Sequence, residues 1–286
     1  MEKTREERDK KPEYDMAKIH ATLLRILIAF DGVCKQKGLS YQLTGGTLLG
    51  CVRHKGFIPW DDDVDIMMTR EDYDRLLSLS LSELGERIFV QTWKTDEWTP
   101  YLFTKIYETE GGSRDHSELS RYICIDVFPL DNVRPETLGG RWQLFLAYVL
   151  VRMNICRFLP ASSLTENKTK RFFIRFWAFI SRLITKNALR RLSHAVLTRY
   201  RSVDCQYGLN LSAIKSWQQF FNTMREKKAF LRTIPGEFEG YYFPIPANYH
   251  EILTKSYGEY MSLPPESERR PSHIFRGYFG RPDTTK

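Results

Sequence analysis

Paired cysteines are missing from this chain. The five present, Cys34, Cys51, Cys124, Cys156 and Cys205, are odd in number, and no CxxC or Cys/His ligand spacing occurs. That argues against a disulfide scaffold or a zinc site and leads us to expect reduced thiols in a cytoplasmic protein. An apolar h-region is missing from the charged opening MEKTREERDKKPEYD, so no secretory signal is expected. No apolar run approaches the ~20 residues of a spanning helix; the longest clean one is 144–151. Internal repeats and low-complexity tracts are absent. Acid is nearly absent from one stretch: between Thr137 and Val203, 13 Lys or Arg face the single acid Glu166, a net +12. The remainder holds 30 basic and 34 acidic residues, a net −4, so the overall +8 belongs to an insert.

The rest of the chain alternates helix and strand. Residues 16–37 are predicted as a helix, because Ile19, Leu23, Ile26, Leu27, Phe30 and Cys34 form one apolar stripe and Gly38 stops it. Residues 39–43 alternate as a strand, Thr44-Gly45-Gly46 turns, and 47–52 make a short helix. A loop from Arg53 to Trp60 leads to a strand at 64–68. Thr69 followed by Asp72 resembles a capping box that opens a helix to about Leu77. Further strands are expected at 88–92, 103–107 and 122–128. From Tyr207 onward the chain reads as irregular, Pro- and aromatic-rich structure around one short helix near 249–257. The expected class is α/β (α+β): a small mixed sheet flanked by helices, with a basic helical insert. The expected units are a catalytic core at 1–135, the insert at 136–205 and a C-terminal segment at 206–286 that completes the core and site.

The chemistry concentrates in residues 41–68, YQLTGGTLLGCVRHKGFIPWDDDVDIMM. On a strand, Asp63 and Asp65 point one way while Val64 and Ile66 point into a core. Neighbouring carboxylates repel unless a cation lies between them, and hard oxygen ligands suit Mg²⁺, or Mn²⁺ in its place. Gly45 and Gly46 let backbone N–H groups approach a phosphate, with Thr47 adding a hydroxyl. Arg53, His54 and Lys55 either neutralise a diphosphate or form a solvated basic turn. Metal plus phosphate points to phosphoryl or nucleotidyl chemistry. Asp126 sits in ICIDVF on the strand face opposite Ile123, Ile125 and Val127. A carboxylate there needs a partner, which makes it a candidate third metal ligand or a base. Lys105, on a strand that could neighbour Asp126, is a further phosphate candidate. Trp60 reads as packing under its loop, and Tyr241, Tyr242, Tyr249 and Tyr257 as packing residues. His20, His116, His194 and His250 share no ligand spacing and receive no role.

Three blocks, GGTLLGCVRHKGFIPWDDDVDIMMTREDY (45–73), CIDVFPLDNV (124–133) and FEGYYFPIPANYHEILTKSYGEYMSLPP (238–265), resemble the LicD family of phosphotransferases. That family is related to the fukutin proteins and to the nucleotidyltransferase fold. The resemblance implies a nucleotidyltransferase-like core and an Mg²⁺-dependent transfer. The donor is a CDP-activated alcohol such as CDP-choline, CDP-ribitol or CDP-glycerol. The acceptor is a sugar hydroxyl on a cell-surface glycan or its lipid-linked precursor, and CMP leaves. It places Arg269 and His273 near the donor. The loop from Gly46 to Asp63 is longer than in the broader nucleotidyltransferase pattern, so whether Asp61 also serves as a metal ligand stays open. Two rival readings are a nucleotidyltransferase that moves NMP from an NTP to a small molecule, and a catalytically silent binding protein.

Within the insert, Phe172, Phe176, Phe179 and Leu183 recur at helical spacing, widened by Trp177 and Ile180 and flanked by Arg171, Arg175, Arg182, Lys186, Arg190 and Arg191. That composition suits a basic amphipathic helix on an anionic membrane surface, the reading preferred over nucleic-acid binding and over a plain helical subdomain with a basic outer face. The expected partners are therefore a CDP-alcohol, a lipid-linked glycan and the inner face of the cell membrane, with no nucleic acid.

Overall fold

The structure, a computed structural model, describes residues 15–80, 83, 88–97, 99–108, 123–159, 164–165, 167–214, 220 and 222–269. The chain enters through helix α1 (Met16–Lys37), capped by the Asp15 side chain, which accepts from the Lys18 amide, and closed by Gly38 at φ 59. Its stripe of Ile19, Leu23, Ile26, Leu27 and Phe30 is buried against the sheet.

Among the described residues, seven strands form one mixed sheet. The central path runs β1 (Tyr41–Leu43), β2 (Val64–Thr69), β5 (Cys124–Val133), β4 (Thr104–Glu108) and β3 (Ile88–Gln91). β2 and β5 are parallel, and the other pairs on this path are antiparallel. Helix α2 (Gly45–His54) links β1 to the loop before β2, and α3 (Arg70–Ser78) follows β2, capped by Thr69 accepting from the Asp72 amide at 3.2 Å. Register places Asp65 beside Asp126, and Asp126 beside Lys105. Register partners share a face, so these three side chains form one row across three strands. Val64, Ile66, Ile125 and Ile106 alternate with them, are fully buried, and fill the core on the opposite face.

Four elements differ from the sequence reading. Gly45 and Gly46 were expected in a turn, yet they begin α2. Weak helix propensity argues against them, but the site described below leaves no room for side chains there. The strand expected at 122–128 runs on through Pro129 to Val133; Tyr122 lies outside the described residues. Past its pairings with β4 and β2, which end at Val127 and Leu130, β5 pairs with β6 (Tyr207–Leu209) at Asp131–Val133. The insert divides into α4 (Leu138–Phe158), α5 (Lys168–Arg182) and α6 (Lys186–Leu197), the last capped by Thr185 accepting from the Ala188 amide. The C-terminal stretch adds β7 (Arg225–Glu226) beside β6 and a short α7 (Lys227–Phe230). It then makes a hairpin, β8 (Thr233–Phe238) with β9 (Tyr241–Pro246), before α8 (Tyr249–Tyr257). The hairpin turn, Glu239-Gly240, has φ of 50° and 77°, the two left-handed residues of a tight hairpin turn. Prolines 235, 244 and 246 mask its strands, since proline is tolerated mainly in edge strands.

Candidate active site

The Asp-rich loop enters the sheet at Val64, so residues 61–63 precede the strand. Its start is held from behind: His20 bonds the Asp61 carbonyl at 2.7 Å while stacking on Phe57 at 4.2 Å, and the Asp61 amide donates to the Ile58 carbonyl. Asp61, Asp62 and Asp63 each turn a carboxylate oxygen to one place, all within 4.8 Å of one another. Asp62 is buried and the other two are half-buried. Asp65 follows on β2, half-buried, between the fully buried Val64 and Ile66.

The glycines face this cluster. A Cβ on Gly45 would collide with the Asp65 carboxylate, and one on Gly46 would lie 2.6 Å from Asp61 Oδ2. Gly45 also holds φ +56. Lack of a side chain thus lets two carboxylates reach the N-terminal end of α2. Thr44 and Thr47 fix Asp65 at that end: the Thr44 amide donates to the Asp65 carbonyl at 3.0 Å, and the Asp65 amide donates to Thr47 Oγ1 at 2.8 Å. The Thr47 hydroxyl therefore positions Asp65.

On the next strands Lys105 Nζ meets Asp126 Oδ1 at 2.5 Å, with both side chains largely buried. Burial disfavours the Lys105 charge, but Asp126 outweighs it and holds the ammonium well above its ordinary value. The Lys105 head also lies 5.0 Å from the Tyr101 ring centre. Lys105 and Asp126 are thus each other's first partners, beside Asp65 in the row.

The basic loop residues have partners of their own or stand in solvent. Arg53 Nη1 donates to the carbonyls of Tyr260 and Ser262 at 2.8 and 3.1 Å, tying α2 to the C-terminal segment. His54 packs edge-on against Trp60 at 6.4 Å. Lys55 is exposed and closes α2 at φ 58, and its carbonyl accepts from the Glu239 amide. Arg269 lies 5.6 Å over the Trp60 ring and donates to the Pro264 carbonyl. His273 lies outside the described residues.

Three contributors escaped the sequence reading. Asp62 lies in the acidic run, but strict alternation assigns it to the face opposite Asp63; the strand starts only at Val64, so alternation does not govern it. Tyr257 is half-exposed overall, yet its hydroxyl end is desolvated and feels Asp65, Asp61 and Asp63, which raise it well above the ordinary value. Arg225 donates to Thr44 Oγ1 at 3.4 Å, and burial pushes it down to about 10 against the opposing pull of Tyr257 and Glu251. It also lines a cavity of about 320 Å³ with Tyr207, Asn222, Glu226, Asn248 and Glu251. A dipeptide such as Arg225-Glu226 in a charged stretch carries no pattern; only the pairing of β7 on β6 brings it here.

Clustered carboxylates, a side-chain-free helix start and a desolvated arginine suit a cation together with a phosphorylated ligand. Residues 38–142 match the family described as LicD/FKTN/FKRP, nucleotidyltransferase domain. The ribitol 5-phosphate transferase FKRP of Homo sapiens is 34% identical over 98 residues, 34% of this chain and 18% of that protein. The lipopolysaccharide cholinephosphotransferase LicD of Haemophilus influenzae is 32% identical over 269 residues, 89% of this chain and 94% of that protein. Similarity running nearly end to end at this level admits one assignment: the chain belongs to the LicD family.

Proposed function

We propose that the protein transfers a phospho-alcohol, phosphocholine first among them, from a CDP-activated donor to a sugar hydroxyl of a cell-surface glycan or its lipid-linked precursor. The observation that carries this reading is the convergence of Asp61, Asp62 and Asp63 beside the glycine start of α2. Its support is the near full-length relative that acts as a lipopolysaccharide cholinephosphotransferase. The shorter match to a ribitol 5-phosphate transferase makes ribitol phosphate the second alcohol to try.

An all-carboxylate donor set fits Mg²⁺, or Mn²⁺ in its place. Asp61, Asp62 and Asp63 would hold the ion, with Asp65 beside them. When bound, such an ion supplies charge neutralisation for the donor diphosphate and the departing CMP. Gly45 and Gly46 leave room at the α2 N-terminus for the Asp65 and Asp61 carboxylates, and the remaining backbone N–H groups there would receive a phosphate oxygen brought by the ion those carboxylates help to hold. Arg225 adds a cation on the Thr44 side.

The acceptor oxygen forms a bond to the donor's alcohol-bearing phosphorus as the bond to CMP breaks, and the hydroxyl proton passes to a carboxylate. Asp126, oriented by Lys105, is that carboxylate. Positioning carries most of the burden, as phosphoryl-type transfer offers little covalent chemistry to the protein. The Arg225 cavity lies at the small end of the roughly 300–1,000 Å³ typical of ligand sites. Its amides and carboxylates suit sugar hydroxyls.

The test is product analysis with Mg²⁺ and a panel of CDP-alcohols and NTPs. CMP release that is abolished in Asp63→Asn and in Asp65→Asn, with melting unchanged, supports the reading. Pyrophosphate release from an NTP would instead make the protein a nucleotidyltransferase.

A further inference from the structure

The α5 face that the sequence shows as one broad apolar stripe divides in the fold. Trp177 and Ile180 turn inward and pack with Leu150 and Met153 of α4 and Leu189 of α6. Phe172, Phe176, Phe179 and Leu183, at positions i, i+4, i+7 and i+11, stay in solvent, each 50–70% exposed. A helical repeat of 3.6 residues puts these four in one row. It puts the exposed Arg175 and Arg182 in the adjacent row, on the side away from the packed face. The α4 helix repeats the arrangement, with Leu138, Trp142, Phe145 and Leu146 exposed. Soluble proteins seldom leave a helical row of large apolar side chains in water.

We propose that this face of α5 docks on an anionic lipid surface. Charge selects the occupant. The segment 137–203 carries 13 Lys or Arg against one acid, so two copies face to face would repel across the contact, while acidic headgroups are complementary. The aromatics refine it. Single-stranded nucleic acid would use such rings as stacking platforms along a basic groove that tracks the backbone; here the rings stand in one row along the solvent face of a helix. An acyl–headgroup boundary accepts such rings beside the arginines. No described helix is long and apolar enough to cross a membrane, so the face lies along the surface. This inference stands on exposure and charge, and its readout does not depend on the reaction proposed above.

The experiment is flotation of the full chain with phosphatidylcholine vesicles, with and without roughly one third phosphatidylglycerol. It compares about 0.1 M with about 0.5 M salt, because screening weakens the charge contribution. Phe176→Ala/Phe179→Ala removes two solvent-facing rings and keeps helix propensity. Arg175→Glu/Arg182→Glu reverses the basic row. Expected results are flotation with anionic vesicles only, weakened by salt, and about tenfold weaker for the double alanine variant at unchanged melting temperature. The charge-reversed variant should not float. Failure of the wild type to float at low salt, equal binding to neutral vesicles, or a dimer in solution that the double alanine variant dissolves would each overturn the proposal. Tight binding of the wild type to RNA or duplex DNA in place of vesicles would assign the face to nucleic acid and overturn it too.

Discussion

Replacing Gly45 by alanine asks whether the carboxylate geometry at the α2 start matters to the reaction. Gly45 has φ +56 and an Asp65 oxygen where a Cβ would go; Gly38 has nearly the same φ, +59, and nothing within 4 Å of its Cβ position. Alanine in the left-handed region costs about 1–2 kcal/mol at either site. At Gly45 the new methyl must also push Asp65 off its rotamer, adding about 0.5–1.5 kcal/mol. For a chain of this size each kcal/mol lowers Tm by roughly 2–4 °C. Gly38→Ala is therefore expected to melt a few degrees early and keep its activity, while Gly45→Ala melts slightly earlier still. A displacement near 1 Å at a reacting centre costs on the order of a hundredfold, so Gly45→Ala should lose about that much CMP release from CDP-choline. Gly46→Ala completes the set: its φ is ordinary, alanine favours the helix by up to about 1 kcal/mol, and its Cβ would lie 2.6 Å from Asp61 Oδ2. The push on Asp61 costs about 0.5–1.5 kcal/mol, so that variant should melt close to the wild type and still lose at least about tenfold in rate. Melting curves and initial rates on the three variants decide. Normal rates in both Gly45→Ala and Gly46→Ala would refute the claim that bare glycines seat Asp65 and Asp61 for chemistry.

Lys105→Met should leave Asp126 buried without its cation and destabilise the fold by about 3–5 kcal/mol. Adding Asp126→Leu should restore most of that stability without restoring transfer, and a fully active double variant would reduce the pair to scaffold. Arg225→Gln is expected to raise KM at least about tenfold, the size of a lost charged hydrogen bond, with a smaller change in kcat; unchanged kinetics would leave Arg225 as a packing partner of Thr44. Burial, helped by Arg53 at His54 and by Arg70 at His194, holds both histidines below their ordinary value. The unfolded chain then takes up protons first below about pH 6.5, so stability should fall as pH drops from about 7 towards 5. Melting across that range checks the sign, and His54→Gln should flatten part of the slope.

The catalytic half of the fold was legible because its signals are local. The α1 stripe ends at Gly38 as read, the Thr69 cap opens α3, and alternation around Val64 and Ile66 sets the β2 faces. The Asp65–Asp126 neighbourhood follows from two lone carboxylates in apolar strands, which strand register brings side by side. Loop geometry was not legible. Arg53, His54 and Lys55 look like phosphate ligands by composition, but the composition gave no hint that Arg53 bonds the Tyr260 carbonyl or that His54 packs edge-on against Trp60. The β8–β9 hairpin hides behind its prolines, and Arg225 reaches the site through a two-residue strand that no periodicity could reveal. On α5, periodicity gave the apolar residues, but only packing against α4 and α6 separates Trp177 and Ile180 from the rings left in water.

The central claim is that the carboxylate cluster passes a phospho-alcohol from a CDP donor to a glycan. Wild-type protein, Mg²⁺, CDP-choline carrying a labelled methyl group and a lipid-linked glycan acceptor test it in one reaction. The account predicts label in the glycan and CMP in equal amounts, both lost in Asp63→Asn. Label that stays in CDP-choline, with CDP-ribitol and CDP-glycerol equally inert, would contradict it.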